Sequence, residues 1–351
     1  MKYSTPSSMW ILTVLMIGLL MGSALAEGAT SESPGDVSGV ESMGVVSIQS
    51  LAVGEADLVY AGSFGGGIFK SEDGGINWQV ANEGLTDPFV YAVTIGPDKA
   101  IYAGTLRGGI FRSRNNGKSW VAANKGLDRL ETHVLVHHRG ALYAGTGSGV
   151  FRSSNGGESW ISDNEGLKNL LIRALAVDSE GSMYAGTTGM GIYRKRADSS
   201  KWIRITAAQL SHPRDRLPEN FVRALVVDET GSLYAGTADN GVYVSADRGD
   251  SWRALGTGVE NVSIRALAIG GASWFVGTGQ GMYRSVDRGK TWISINQGLM
   301  ERSIQSFAVG KNGILYAGTN GGIFKTQDHG AHWAPVNQGL SSARKLQGPA
   351  H

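Results

Sequence analysis

The chain has 351 residues, 52 of them glycine and none cysteine. Glycine at twice its ordinary share excludes a helical bundle, and glycine without every-third spacing excludes collagen; the lack of cysteine excludes disulfides, thiolate metal sites, a cysteine nucleophile and a lipid anchor on an N-terminal cysteine. Hydrophobic residues at 41% exclude general disorder, and a net charge of +2 with only 18% charged residues argues against a nucleic-acid binder, whose domain would be strongly basic.

Residues 1–26 read as a cleavable secretory signal peptide. Lys2 is followed by an apolar run from Met9 to Met21 and then by Ser23-Ala24-Leu25-Ala26, with small residues before a cut after Ala26. The run of 13 residues is shorter than the ~20 that a membrane-spanning helix needs. Without Lys2 the mature chain has 31 basic and 30 acidic residues, and it is expected to be secreted or periplasmic, with no membrane span. Residues 27–44 lack periodicity and read as a flexible lead-in.

From there the chain repeats. Tyr-Ala-Gly-Thr or a near copy starts at Tyr60, Tyr102, Tyr143, Tyr184, Tyr234, Phe275 and Tyr316, in steps of 42, 41, 41, 50, 41 and 41 residues. A tryptophan follows each, at Trp78, Trp120, Trp160, Trp202, Trp252, Trp292 and Trp333, so two markers agree on seven units. Each unit reads as four short strands separated by turn residues. In the fourth they are 172–177, 182–187, 191–194 and a run after Trp202. Serial four-stranded units of about 40 residues predict an all-β fold, a single seven-bladed β-propeller with four-stranded blades. The blades are expected at about 45–85, 86–127, 128–167, 168–210, 211–258, 259–299 and 300–340, with 341–351 as a C-terminal tail. The first strand carries Ser50, Ala92, Ala174, Ala224, Ala266 or Ser306, small residues suited to the crowded centre, and is placed innermost.

The turn before each tryptophan follows the pattern Ser/Thr-x-Asp/Asn-x-Gly-x-x-Trp, with Asp73, Asn115, Asn155, Asp247, Asp287 and Asp328 at its third position. An Asp or Asn side chain accepts hydrogen bonds from amides of its own turn, and glycine supplies a positive φ. These acids therefore read as structural rather than catalytic, and the tryptophan as pinning the turn onto its blade. Repeat four departs, reading KRADSSKW at 195–202. The pattern resembles the Asp-box, or BNR-repeat, propeller family over residues 45–340. That family includes sialidases, sortilin-type receptors, xyloglucanases and the photosystem II assembly factor. The resemblance implies the fold but not the function, because function lives in grafted sites.

One position near the start of the innermost strand varies while its neighbours stay apolar or small. It holds Gln49, Tyr91, His133, Arg173, Arg223, Arg265 and Gln305. Radial packing is expected to bring the three arginines together as a positive arc at the channel mouth, where guanidiniums favour carboxylate or phosphate partners. Three arginines resemble the carboxylate-binding triad of sialidases, and an arginine patch is a feature of the assembly-factor family, although neither likeness extends to the surrounding residues. Asp178 and Asp228, five residues further along, lie ~16 Å away on an extended strand, too far to neutralise Arg173 or Arg223. The long fourth step places extra residues around Thr206–Leu217, with His212, Arg214, Asp215 and Arg216, on the same rim. The glycine-rich segments such as Leu106–Gly109 read as hairpin turns, not phosphate cradles. His133, His137, His138, His329 and His332 lack the spacing of a metal site, and no metal or cofactor is implied.

The Phe/Tyr-Arg-Ile-Pro motif of sialidases is missing, their six blades do not match seven, and xyloglucanases use a cleft between two propellers. No carboxylate pair stands out once the turn acids are set aside. The sequence thus points to a non-catalytic, monomeric scaffold that binds a protein or acidic peptide on its loop face. Glycan binding or sialidase-like hydrolysis is the alternative; glycan binding is disfavoured because most aromatics fall inside the blades.

Overall fold

A computed structural model describes residues 46–205, 221–269, 272–310 and 313–340. The signal peptide, the lead-in and the C-terminal tail lie outside them, as do His212, Arg214 and Arg216 of the long crossover. Among the described residues no helix is long and apolar enough to cross a membrane.

The chain forms seven four-stranded antiparallel sheets, each made of four consecutive strands. Blade 1 comprises Ser47–Val53, Val59–Phe64, Gly67–Ser71 and Gln79–Val80. The later blades begin with Val90–Ile95, Thr132–His138, Ile172–Val177, Val222–Val227, Ile264–Ala268 and Ile304–Val309. These first strands are largely buried on both faces, as in sheets covered on both sides. The fourth strand has two residues, both exposed, in every blade.

The glycine of each Tyr-Ala-Gly-Thr string marks where the blades touch. A Cβ on Gly62 would lie 2.7 Å from Val90 of blade 2, and one on Gly318 of blade 7 would lie 2.7 Å from Ile48 of blade 1. A side chain at either position would wedge the blades apart, so the requirement is for close approach rather than backbone freedom.

The ring closes without exchanging a strand. Trp78 of blade 1 donates its indole N–H to the carbonyl of Val336 in blade 7 at 2.8 Å. Trp120, Trp160, Trp202 and Trp333 likewise donate to Ala81, Ala123, Asp163 and Ile295 of the preceding blade. Trp252 divides its N–H between Ile205 and Gly249, both at 3.2 Å. The tryptophan therefore fastens its turn to the neighbouring blade, whereas the sequence suggested its own. Trp292 is the exception: among the described residues its buried indole N–H has no acceptor.

A second motif accepts these tryptophans. In ANEGL (81–85), ANKGL (123–127), DNEGL (163–167), INQGL (295–299) and VNQGL (336–340) the Asn Oδ1 accepts from a backbone N–H in the first two residues of the third strand. The backbone carbonyl after that Asn accepts the backbone N–H of the next blade's tryptophan, as Glu83 does from Trp120 at 2.8 Å. Blade 5 reads LGTGV at 255–259, and Gly256 replaces the Asn beside Trp292. This repeat was visible in the sequence but has no meaning until blades are set side by side.

The turn acids hold their own turns. Asp73 Oδ1 accepts from Ser71 Oγ at 2.8 Å and from the Asn77 amide at 2.9 Å, and Asn155 repeats this with Ser153 and Ser159. In blade 4, where the pattern is broken, Lys195 replaces the Ser/Thr and bonds Asp163 of blade 3, and the Trp202 fastening survives.

Candidate functional site

Each first strand carries one bulge. Ile48 pairs with Ser63 and Ser50 with Gly62, which leaves Gln49 unpaired. The same slip leaves Tyr91, His133, Arg173, Arg223, Arg265 and Gln305 unpaired in blades 2 to 7. A bulge re-aims the side chain of its extra residue. The position that varies in sequence is thus the one freed from the ladder in every blade.

The bulged side chains and their neighbours make contacts across the seams between blades. Arg173 NH1 lies 3.0 Å from Nδ1 of His133 in blade 3. His133 is fully buried, with Glu131 Oε1 2.9 Å from its Nε2. The Tyr91 ring lies 5.6 Å from the His133 ring and 6.0 Å from that of Phe64. On the other side, Arg223 NH1 donates to Ser263 of blade 6 at 3.3 Å, and Arg265 NH1 to Ser303 of blade 7 at 2.8 Å. Gln305 donates to Ser303 and Asn320, Asn320 accepts from Ser47 of blade 1, and Gln49 donates to Ser47.

The three arginines are half-buried. None makes a salt bridge among the described residues, and Nε of Arg265 is buried without a partner. Asp178 and Asp228 are engaged elsewhere: each caps its own turn and accepts from a tyrosine hydroxyl, Tyr184 and Tyr234. Burial pulls down the pKa of all three guanidiniums. Arg173 adds to this at Arg223, and Arg223 at Arg265, so adjacent blades feel each other's charge. Glu131 and Tyr91 oppose it at Arg173, and Asp239 does so at Arg223. An arc of guanidiniums with unused donors is suited to holding carboxylates.

Apolar side chains stand beside the arc. Leu170, Leu171 and Phe221 precede Arg173 and Arg223 and are 37–40% exposed; away from the arc, Phe64 on blade 1 is 37% exposed. The sequence placed most aromatics inside the blades and did not single out these residues; Leu170, Leu171 and Phe221 lie just before a strand, where no periodic signal marks them. The Leu106–Gly109 segment is a hairpin turn whose amides at Arg107 and Gly108 are held by Asp87.

No family model and no curated protein matches the sequence. Solved structures do match. The extracellular domain of a putative one-component system from B. thetaiotaomicron is 19% identical with a TM-score of 0.66, covering 80% of this chain and 38% of that one. The GH74 xyloglucanase from Xanthomonas campestris is 16% identical with a TM-score of 0.66, covering 84% and 55%. YCF48 bound to D1 peptide is 12% identical with a TM-score of 0.59, covering 80% and 92%. This chain therefore spans about two fifths of the sensor domain and about half of the xyloglucanase, but most of YCF48. At these identities the likeness shows the propeller fold.

Proposed function

We propose that this protein is a secreted or periplasmic, non-catalytic propeller that binds a protein partner through an acidic segment laid on its loop face. The observation that carries this reading is the arc of Arg173, Arg223 and Arg265 on three consecutive blades, without salt bridges among the described residues. The turn geometry supports placing the chain among Asp-box propellers. A peptide complex of YCF48 supports a peptide-binding role for a single propeller of this kind.

The test is affinity capture from native extract with the mature protein and with an R173Q/R223Q/R265Q variant of matching unfolding midpoint. A partner held only by the wild type is the expected result. Equal capture removes the arc from the reading. Release of sugar from xyloglucan or a sialoside would overturn the non-catalytic assignment.

A further inference from the structure

The mouth has two unlike halves. Arg173, Arg223 and Arg265 occupy blades 4, 5 and 6. In a ring of seven, the seam between blades 1 and 2 lies three and a half steps from blade 5, half a turn away. At that seam stand Phe64, which ends the second strand of blade 1, and Phe89, which leads into blade 2. Their rings meet edge-on at 4.8 Å and a backbone bridge joins the two residues, so the pair is held in place. Arg107 lies over the Phe89 ring at 5.7 Å. No other blade has an aromatic at the position of Phe64: the others hold Leu106, Gly147, Thr188, Ala238, Gly279 and Asn320.

We infer that the mouth selects an acidic peptide segment that also carries an aromatic or large aliphatic side chain, with its carboxylates on the Arg223 side and its apolar group on Phe64 and Phe89. This rests on the reading of the mouth as an acidic-peptide site and specifies what that site selects. Charge complementarity fixes the acidic part of the ligand. Among the described residues the guanidinium donors are underused, with one 3.3 Å bond at Arg223 and an unpartnered Nε at Arg265. The apolar part follows from an ordered, partly exposed aromatic pair, which gains by being covered and loses no conformational freedom in doing so. A neutral glycan would leave the arginines unanswered.

A random decapeptide library displayed against the mature protein tests this. The enriched peptides should combine Asp or Glu with an aromatic or aliphatic residue at a recurring spacing. Phe64→Ser should weaken an enriched peptide about tenfold, as loss of a central apolar anchor does. Phe64→Leu should largely restore binding. The same peptide with its apolar residue changed to serine should bind Phe64→Ser and wild type alike. Unchanged unfolding midpoints certify the variants. Acidic peptides without an apolar preference, insensitive to Phe64→Ser, would overturn this inference and leave the acidic-peptide reading standing. Neutral or basic enrichment, no enrichment, or binding of acidic oligosaccharides alone would overturn both.

Discussion

Arg173 and His133 are joined across the seam of blades 3 and 4, with NH1 3.0 Å from Nδ1. A guanidinium can only donate, so Nδ1 accepts and the imidazole is neutral, with its proton on Nε2. Burial pushes the pKa of His133 down, and Arg173 adds to this against the opposing pull of Glu131. The histidine therefore sets the orientation of the first arginine of the arc.

This relationship makes stability depend on pH. Below the ordinary histidine value of ~6.5 the unfolded chain binds a proton that folded His133 does not. Stability is complete above that value and falls as pH drops towards the lowered folded pKa. His137 and His138 are shifted down by burial as well and contribute the same sign. His133→Asn isolates the effect, because the Asn oxygen can accept from Arg173 without titrating. Urea unfolding between pH 7 and pH 5 should show a shallower loss in the variant; identical slopes would refute the assignment.

The tryptophans should differ in cost. Trp160→Ala removes a buried indole and should destabilise by ~3–5 kcal/mol. Trp160→Phe leaves the Ala123 carbonyl without its 2.8 Å donor, which adds about 1–3 kcal/mol. Trp292 has no acceptor to lose. Trp292→Phe should therefore cost less than Trp160→Phe by a similar margin, and denaturant midpoints that fall equally would disprove the difference in fastening.

The turn acids should behave as structure. Asp287 Oδ1 accepts from Ser285 and from the Thr291 amide, and Oδ2 from the Thr291 hydroxyl. Asn115 and Asn155 fill the same position with the same acceptor. Asp287→Asn should thus be tolerated at pH 7, while Asp287→Ala lowers the unfolding midpoint without selective loss of ligand. Loss of binding at full stability would overturn the structural role.

Acid should loosen these turns within a defined window. Hydrogen bonds, from Thr291 foremost at Asp287 and from Asn77 foremost at Asp73, hold both carboxyls down at about 2. Their contribution is present above the unfolded value of ~3.9 and is lost as pH falls towards 2. Thermal midpoints of wild type should drop through this range, and Asp287→Asn should drop less. Parallel curves would contradict the shift.

The central packing admits a direct test at Gly145. A Cβ there would lie 2.5 Å from Val134 and 2.7 Å from Ile172 of the next blade. Gly145→Ala should cost ~1–3 kcal/mol by overpacking. A neutral outcome in chemical denaturation would show that the blades can part at no cost.

The sequence by itself determined the blade count, the strand pattern and the turn chemistry. Each rests on groups close together in the chain: Ser71, Asp73 and Asn77 satisfy one another within seven residues. It also singled out the variable position of the first strand. That position's meaning as a bulge came only from the register of two paired strands, because an extra unpaired residue has no signature of its own. The tertiary structure alone decided which blade receives each tryptophan, joining Trp78 to Val336 from opposite ends of the propeller. It alone placed Phe64 and Phe89 half a ring from Arg223, and left Trp292 without an acceptor beside Gly256. These relations depend on the closed ring, which sets residues of different blades side by side, and no local preference of the chain encodes that neighbourhood.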